Sequence, residues 1–250
     1  MSRTWKALLR WANAGAALVF PPCCSHCEQP LDVDDVGPQL CCVCARKVFT
    51  PAKQACLRCG AYDVKIDEQA GSCLECRDTN LAFDEVSSLG KYEGALQAAV
   101  VRMKYEHGQP LALAAGKRLA KLQDYSHRND QPDLLSCIPK YWLKRLVTGV
   151  NSAETIMSGL GSQSKLPTVP DLLVCRRRIS KQSLLSPEQR KRNVRGAWTV
   201  SAKYDIKDTH VLVADDTMTT GSTAHEAARV LKSSGARRVS FAVVGRAARH

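Results

Sequence analysis

Hydrophobic and polar positions follow two different patterns along the chain, and the change falls near residue 84. Between residues 21 and 82 apolar residues are scattered among cysteines and polar residues, with no sustained period. From about residue 84 short apolar runs alternate with segments of helical spacing. Runs at 86–89, 134–138, 172–175, 198–200, 211–214 and 239–244 predict strands. Helical spacing covers 94–104, 110–122 and 223–233, the last stopped near Gly235. A fourth helix is predicted over 140–160, weakened by several Gly and Ser. Strands separated by helices imply an α/β domain, a mostly parallel sheet with helices on both faces. The expected organisation is an amphipathic helix over 1–20, a cysteine-rich module over 21–82 and the α/β domain over 83–250.

The first twenty residues carry Arg3 and Lys6 ahead of an apolar run that ends at Phe20. An export signal has that order, but Arg10 and Asn13 interrupt the run, while Trp5, Leu8, Leu9 and Ala12 share one helical face. A helix packed on the body of the protein is the simpler expectation. No segment approaches the ~20 apolar residues of a membrane span. A cytoplasmic protein is expected. The formal net charge of +12 is uneven: residues 1–84 hold 9 Lys and Arg against 10 Asp and Glu, so the excess lies in the α/β part. That excess favours anionic partners, either phosphorylated small molecules or nucleic acid.

Ten of the twelve cysteines lie between Cys23 and Cys76, and eight form four CxxC pairs: Cys24 with Cys27, Cys41 with Cys44, Cys56 with Cys59, and Cys73 with Cys76. A CxxC turn sets two thiolates at the spacing tetrahedral zinc needs, so four turns suit two Zn²⁺ sites of four thiolates each. Sequential pairing is the simplest, and a cross-braced pairing fits the spacing too. Disulfides would need an oxidising compartment, and a redox CxxC is normally single. Closed four-thiolate sites are structural, with no coordination position left for a substrate. Cys23 and Cys42 are spare neighbours, and Cys137 and Cys175 fall in apolar strands as core residues.

The segment Val211-Leu-Val-Ala-Asp-Asp-Thr-Met-Thr-Thr-Gly-Ser-Thr223 carries the most chemistry. An apolar strand ends in Asp215 and Asp216, a hydroxyl-rich loop follows, and then a helix begins. Gly221 permits a tight turn close to a phosphate, and the N–H groups of the following helix point at that phosphate. Thr219, Thr220, Ser222 and Thr223 add hydroxyls. The two acids stand at a strand's carboxyl end and suit the vicinal hydroxyls of a ribose. There is no Lys after the glycine, as a Walker loop requires, and no GxGxxG.

This segment resembles the PRPP (5-phosphoribosyl 1-pyrophosphate) loop of type I phosphoribosyltransferases. The chain from about Phe20 to Arg246 resembles, more specifically, the ComF competence family, a double zinc ribbon joined to a phosphoribosyltransferase-like domain. The resemblance is carried by Phe20-Pro-Pro, Lys91-Tyr-Glu-Gly94, Arg102-Met-Lys-Tyr105, the run from Arg190 to Trp198 and the Asp215–Thr223 loop, which includes Thr217. It implies that Asp215 and Asp216 hold a ribose and that Thr219 to Thr223 hold its 5'-phosphate. The family's usual V-P-x-H turn and R-G-F-N motif stand here as Ile138-Pro-Lys140 and Thr148-Gly-Val-Asn151. Thr148 removes a guanidinium that could bind pyrophosphate bidentately, leaving Lys140, Lys144 and Arg145 as nearby charges. Arg176 to Arg178, Lys181, Arg190 to Arg192 and Arg195 form a basic stretch where such enzymes place a mobile loop. That stretch reads as a lid over pyrophosphate, a single-stranded DNA contact or a solvated basic loop; few aromatics interleave it as base platforms.

Two functions follow from the resemblance. One is an accessory protein of DNA uptake that senses PRPP or a nucleotide and couples single strands to a helicase or recombination partner. The other is an active phosphoribosyltransferase that moves ribose 5-phosphate from PRPP to an amine or nucleobase, releasing pyrophosphate with Mg²⁺. The altered Thr148–Asn151 segment favours ligand binding without turnover.

Overall fold

The computed structural model describes residues 21–31, 40–49, 55–67, 72–122, 130–140, 149–177 and 186–247. The helix expected over 1–20 lies outside them. The cysteine-rich part contains α1 (Cys42–Val48), β1 (Ile66–Asp67), β2 (Ser72–Cys73) and α2 (Leu74–Arg77). The α/β part runs β3 (Glu85–Lys91), α3 (Gly94–Met103), α4 (Gln109–Leu122), β4 (Leu134–Cys137), α5 (Ser152–Ser164), β5 (Leu173–Cys175), α6 (Pro187–Val194), β6 (Trp198–Val200), β7 (His210–Met218), α7 (Ser222–Ser233) and β8 (Arg238–Arg246).

Strands β3, β8, β7 and β4 form a parallel sheet in that order. Side chains alternate across it, as a pleated strand requires. Val211, Val213, Val239, Phe241 and Val243 join one apolar core, together with Ala224, Ala227, Ala228 and Leu231 of α7. Leu212, Ala214, Ala242 and Val244 join the other, with residues of α3, α4 and α5. Helices therefore cover both faces, as the alternation of runs predicts. Each core also holds one of the two cysteine groups: Cys56, Cys59, Cys73 and Cys76 on the α7 side, Cys24 and Cys44 on the other.

Three expectations are corrected. The helix predicted over 140–160 is broken at 149–151: residues 141–148 lie outside the described residues, and α5 starts at Ser152 behind an extended Asn151 and continues to Ser164. Its small residues have a packing reason: a side chain on Gly159 or Gly116 would strike the backbone of the facing helix, so α5 and α4 meet backbone to backbone. The strands at 173–175 and 198–200 do not join the parallel sheet but pair with each other, antiparallel. Cys175 is half-buried rather than fully in the core, whereas Cys137 is buried.

The outer edge of β3 is covered by the second cysteine group. Val86 N–H donates to the Leu57 carbonyl (2.9 Å), and the Tyr62 hydroxyl donates to the Ser88 carbonyl (3.2 Å). An open strand edge is a template for unwanted pairing, and this knuckle closes part of it.

Candidate functional site

The site sits at the carboxyl ends of β7 and β4. Strand β7 runs past the expected end at Ala214 because its pairing with β8 continues to Met218 opposite Arg246. Asp215, Asp216 and Thr217 are thus held on strand backbone rather than on a loop. The chain then turns through Thr219 and Thr220 to Gly221, whose φ of +79° favours glycine and which caps α7 without a side chain. Helix α7 opens at Ser222, one residue earlier than expected, so its first N–H groups begin directly behind the hydroxyl loop. Thr220 and Ser222 hydroxyls lie 2.9 Å apart. Arg190 of α6 donates to the Thr219 hydroxyl (3.2 Å).

Asp216 is held by neighbours from α5, from the end of α3 and from β7 itself. Ser152, the first residue of α5, donates to Asp216 Oδ2 at 3.0 Å, and Thr217 donates to Asp216 Oδ1 at 2.8 Å. Lys104, just past α3, brings its ammonium to 3.5 Å from Asp216 Oδ2. Burial opposes the charge on Lys104, but Asp216, Tyr92 and Asp215 outweigh it and raise its pKa. Burial and the adjacent Asp216 charge push the Asp215 carboxyl up to about 8, against the pull of Lys104 and Lys140. Lys140 donates to the Val150 carbonyl (3.1 Å), which ties the turn after β4 to the segment before α5. With Asp215 protonated, one charged acid faces two lysines, so the floor of the site is slightly positive and an anion can approach the loop without net repulsion.

The structure holds Asp215 to Thr223 as one strand–loop–helix segment, with Lys140 near enough to act on the Asp215 carboxyl. Thr148, Lys144, Arg145, Arg178 and Lys181 lie outside the described residues. Ser152 was missed as a site residue because a single distant serine carries no local signal, and Lys104 was read only as part of the Arg102–Tyr105 segment, with no role given to it. Of the basic stretch, Arg190 to Arg192 lie on helix α6 and Arg195 just past it, Arg176 and Arg177 follow β5, and 178–185 lie outside the described residues. Ser186 and Gln189 form the capping box of α6, and Glu226 of α7 accepts from Gly196 N–H just beyond its end (2.7 Å). Arg177 donates to the Asn193 and Arg195 carbonyls, so this cation closes the end of α6.

The cysteines form two tetrads, Cys24, Cys27, Cys41 and Cys44, and Cys56, Cys59, Cys73 and Cys76, with all sulfurs of each within 4.8 Å of one another. Pairing is therefore sequential, and the spares Cys23 and Cys42 stand outside both. Sulfur separations of 3.8 Å for Cys27–Cys41, 3.8 Å for Cys56–Cys76 and 3.7 Å for Cys59–Cys73 are far beyond a disulfide bond of about 2.05 Å. They match the edge of about 3.8 Å of a tetrahedron with metal–sulfur bonds of about 2.3 Å. Burial raises Cys24, but N–H groups of Cys27, Cys41 and His26 outweigh it and lower the thiol to about 6. Burial and neighbouring sulfurs push Cys44 and Cys59 upward. Crowded thiols resist ionising together, and a bound cation relieves that resistance. The residues present fit a thiophilic metal ion at each tetrad.

The phosphoribosyl transferase domain family matches residues 105–249. The chain belongs to the phosphoribosyl transferase domain family. Its phosphoribosyl transferase domain includes β4, α5, β7, α7 and β8, with the acid pair and hydroxyl loop inside it. Over a longer span the chain is 24% identical to the DNA utilization protein YhgH of Escherichia coli K12, covering 88% of this chain and 94% of that protein. It is also 24% identical to Competence protein F of Haemophilus influenzae, covering 85% and 91%. Both spans take in cysteine-rich part and transferase domain together, and the resemblance to the ComF family is borne out. Among solved structures, glutamine PRPP amidotransferase of B. subtilis overlaps 54% of this chain at 18% identity with a TM-score of 0.37, and the overlap spans 26% of that enzyme. Among the described residues no helix is long and apolar enough to cross a membrane.

Proposed function

We propose that this protein is an accessory factor of DNA utilisation whose transferase domain binds PRPP or a nucleotide, with structural zinc in both cysteine tetrads. The 5'-phosphate sits on Thr219, Thr220, Gly221, Ser222 and Thr223, and the ribose hydroxyls donate to Asp215 and Asp216. Mg²⁺ accompanies a pyrophosphate-bearing ligand, with Lys104 and Lys140 as the flanking cations. One observation carries the reading: an acid pair on strand backbone stands directly ahead of a glycine-capped helix start, an arrangement that offers acceptors to a sugar and donors to its phosphate within one segment. The link to DNA rests on the names of YhgH and Competence protein F. The fold itself hosts many functions.

Calorimetric titration of PRPP with Mg²⁺ into zinc-loaded protein tests the site. Saturable binding is expected, lost in the Asp215→Asn/Asp216→Asn double variant; no binding by folded wild type overturns the proposal. The pH dependence has a definite sign. Asp215 holds its proton up to about pH 8 in the free protein, and hydroxyl donors favour the ionised form. Binding then expels a proton below that pH, so affinity rises from pH 6 to 8 by at most tenfold per unit, about the limit for one linked proton, and levels off above. Pyrophosphate release with one particular amine or nucleobase would instead establish the active phosphoribosyltransferase.

A further inference from the structure

Arg246 closes β8 opposite Met218 of β7 and Lys91 of β3, and its side chain is among the largest fully buried ones. A guanidinium without solvent is costly unless its donors are met. Here Nε donates to the Cys59 carbonyl at 2.9 Å. Nη1 donates to the carbonyls of Met218 (3.0 Å), Ala247 (2.7 Å) and Thr219. One cation therefore joins the knuckle of the second tetrad to the two residues where the hydroxyl loop begins.

The chemistry of both ends explains why an arginine stands there. A phosphate loop binds through N–H groups, and any carbonyl turned into the cradle repels the anion. Hydrogen bonds to Arg246 hold the Met218 and Thr219 carbonyls in place. At the other end, four thiolates around a divalent cation carry a net charge of about −2, which favours a buried cation beside the knuckle; four neutral thiols supply no such charge. We propose that Arg246 is a positioning residue that couples metal occupancy of the Cys56, Cys59, Cys73 and Cys76 tetrad to the order of the Thr219–Thr223 loop. The first tetrad has no such connection among the hydrogen bonds of the described residues. The value of this coupling for ligand binding rests on the phosphate reading proposed above. By reciprocity, a ligand that orders the loop also holds the metal more firmly.

Hydrogen exchange of amides 217–224 in the full zinc-loaded chain, without any phosphate ligand, tests the coupling itself. Arg246→Lys keeps the charge but loses the fork that reaches both ends, and Arg246→Met keeps the bulk alone. Both variants are expected to raise exchange of the loop roughly tenfold, an opening cost of about 1.4 kcal/mol, while retaining two zinc ions per chain and full protection of β4. In wild type, staged chelation is expected to leave the loop unchanged while the first tetrad empties, and to raise its exchange as the second empties. A second arm adds PRPP with Mg²⁺: it slows release of the second zinc several-fold in wild type and not in Arg246→Lys. Loop exchange in Arg246→Lys equal to wild type, with zinc and β4 intact, overturns the proposal. If chelation of the second tetrad unfolds the chain, the Arg246→Lys comparison decides alone. Normal coupling in the exchange arm with no effect of PRPP would sink the ligand reading and leave the positioning role standing.

Discussion

The two cysteine tetrads have the same ligands at the same intervals, Cys24, Cys27, Cys41, Cys44 against Cys56, Cys59, Cys73, Cys76, yet they are built into the molecule differently. The second is wholly buried: its four cysteines are 0–2% exposed and share a core with Phe83, Val86 and Phe241. In the first, Cys27 is exposed and Cys41 half-buried. The local chain differs as well. Cys41 caps α1, its sulfur accepting from Cys44 N–H at 3.3 Å, whereas β1 and β2 pair antiparallel and Cys73 N–H donates to the Cys56 sulfur. Ligand spacing therefore sets the tetrad and nothing beyond it. What each tetrad does for the fold depends on the surface it packs against.

The largest expected effect separates the two directly. Cys59→Ser removes a ligand from a tetrad that is part of the sheet's core, so it should cost 4 kcal/mol or more, on the order of a lost structural metal site. Cys27→Ser, at an exposed ligand, should cost about 1–2 kcal/mol and leave the sheet folded. Guanidinium titrations followed by fluorescence, with zinc counted in each variant, measure both. Equal losses would break the comparison.

Phe83 sharpens it without touching a ligand. The ring lies edge-on to Phe241 with centroids 5.7 Å apart, and the Arg58 guanidinium stands 5.7 Å above it. It is buried in the core that the second tetrad shares with the sheet, so Phe83→Ala should cost about 3–4 kcal/mol, in the range for a large buried aromatic. It should also speed zinc release from the second tetrad and not from the first. Unchanged release would mean that the tetrad holds itself and owes little to the core around it.

Legibility in the sequence follows the same division between local and distant information. The tetrads were readable because CxxC spacing is a local requirement of the metal; sequential pairing was the simplest expectation, but spacing left a cross-braced pairing open, and only the packing of the two groups into different cores separates them. Strands β3, β4, β7 and β8 were readable from apolar runs, while the extension of β7 to Met218 depends on its partner β8. The break ahead of α5 at 149–151 was hidden because Gly149, Asn151 and Ser152 carry weak and conflicting signals. In the site, the contiguous segment from Asp215 to Thr223 was visible at once. Lys104, Ser152 and Arg246 reach it from other elements, and an isolated polar residue in sequence says nothing about where its side chain ends.

The smallest expected effect concerns how the first tetrad is fastened. Arg102 of α3 donates to the His26 carbonyl at 2.9 Å and to Glu28 Oε1 at 2.6 Å. The Glu28 side chain is 77% exposed, so its ion pair is screened and worth little. The carbonyl bond and the packing of the arginine stem remain in high salt. Glu28→Gln should therefore change stability by no more than about 0.3 kcal/mol, and 1 M salt should reproduce it. Arg102→Ala should cost about 1 kcal/mol and raise hydrogen exchange several-fold over residues 22–31 alone. Exchange over residues 55–67 should not move, because the second knuckle is held by β3 and by the Arg246 contact with Cys59 rather than by α3. A rise in both segments would mean that the two tetrads answer to one shared opening of the sheet, and the difference in their burial would then carry no difference in function.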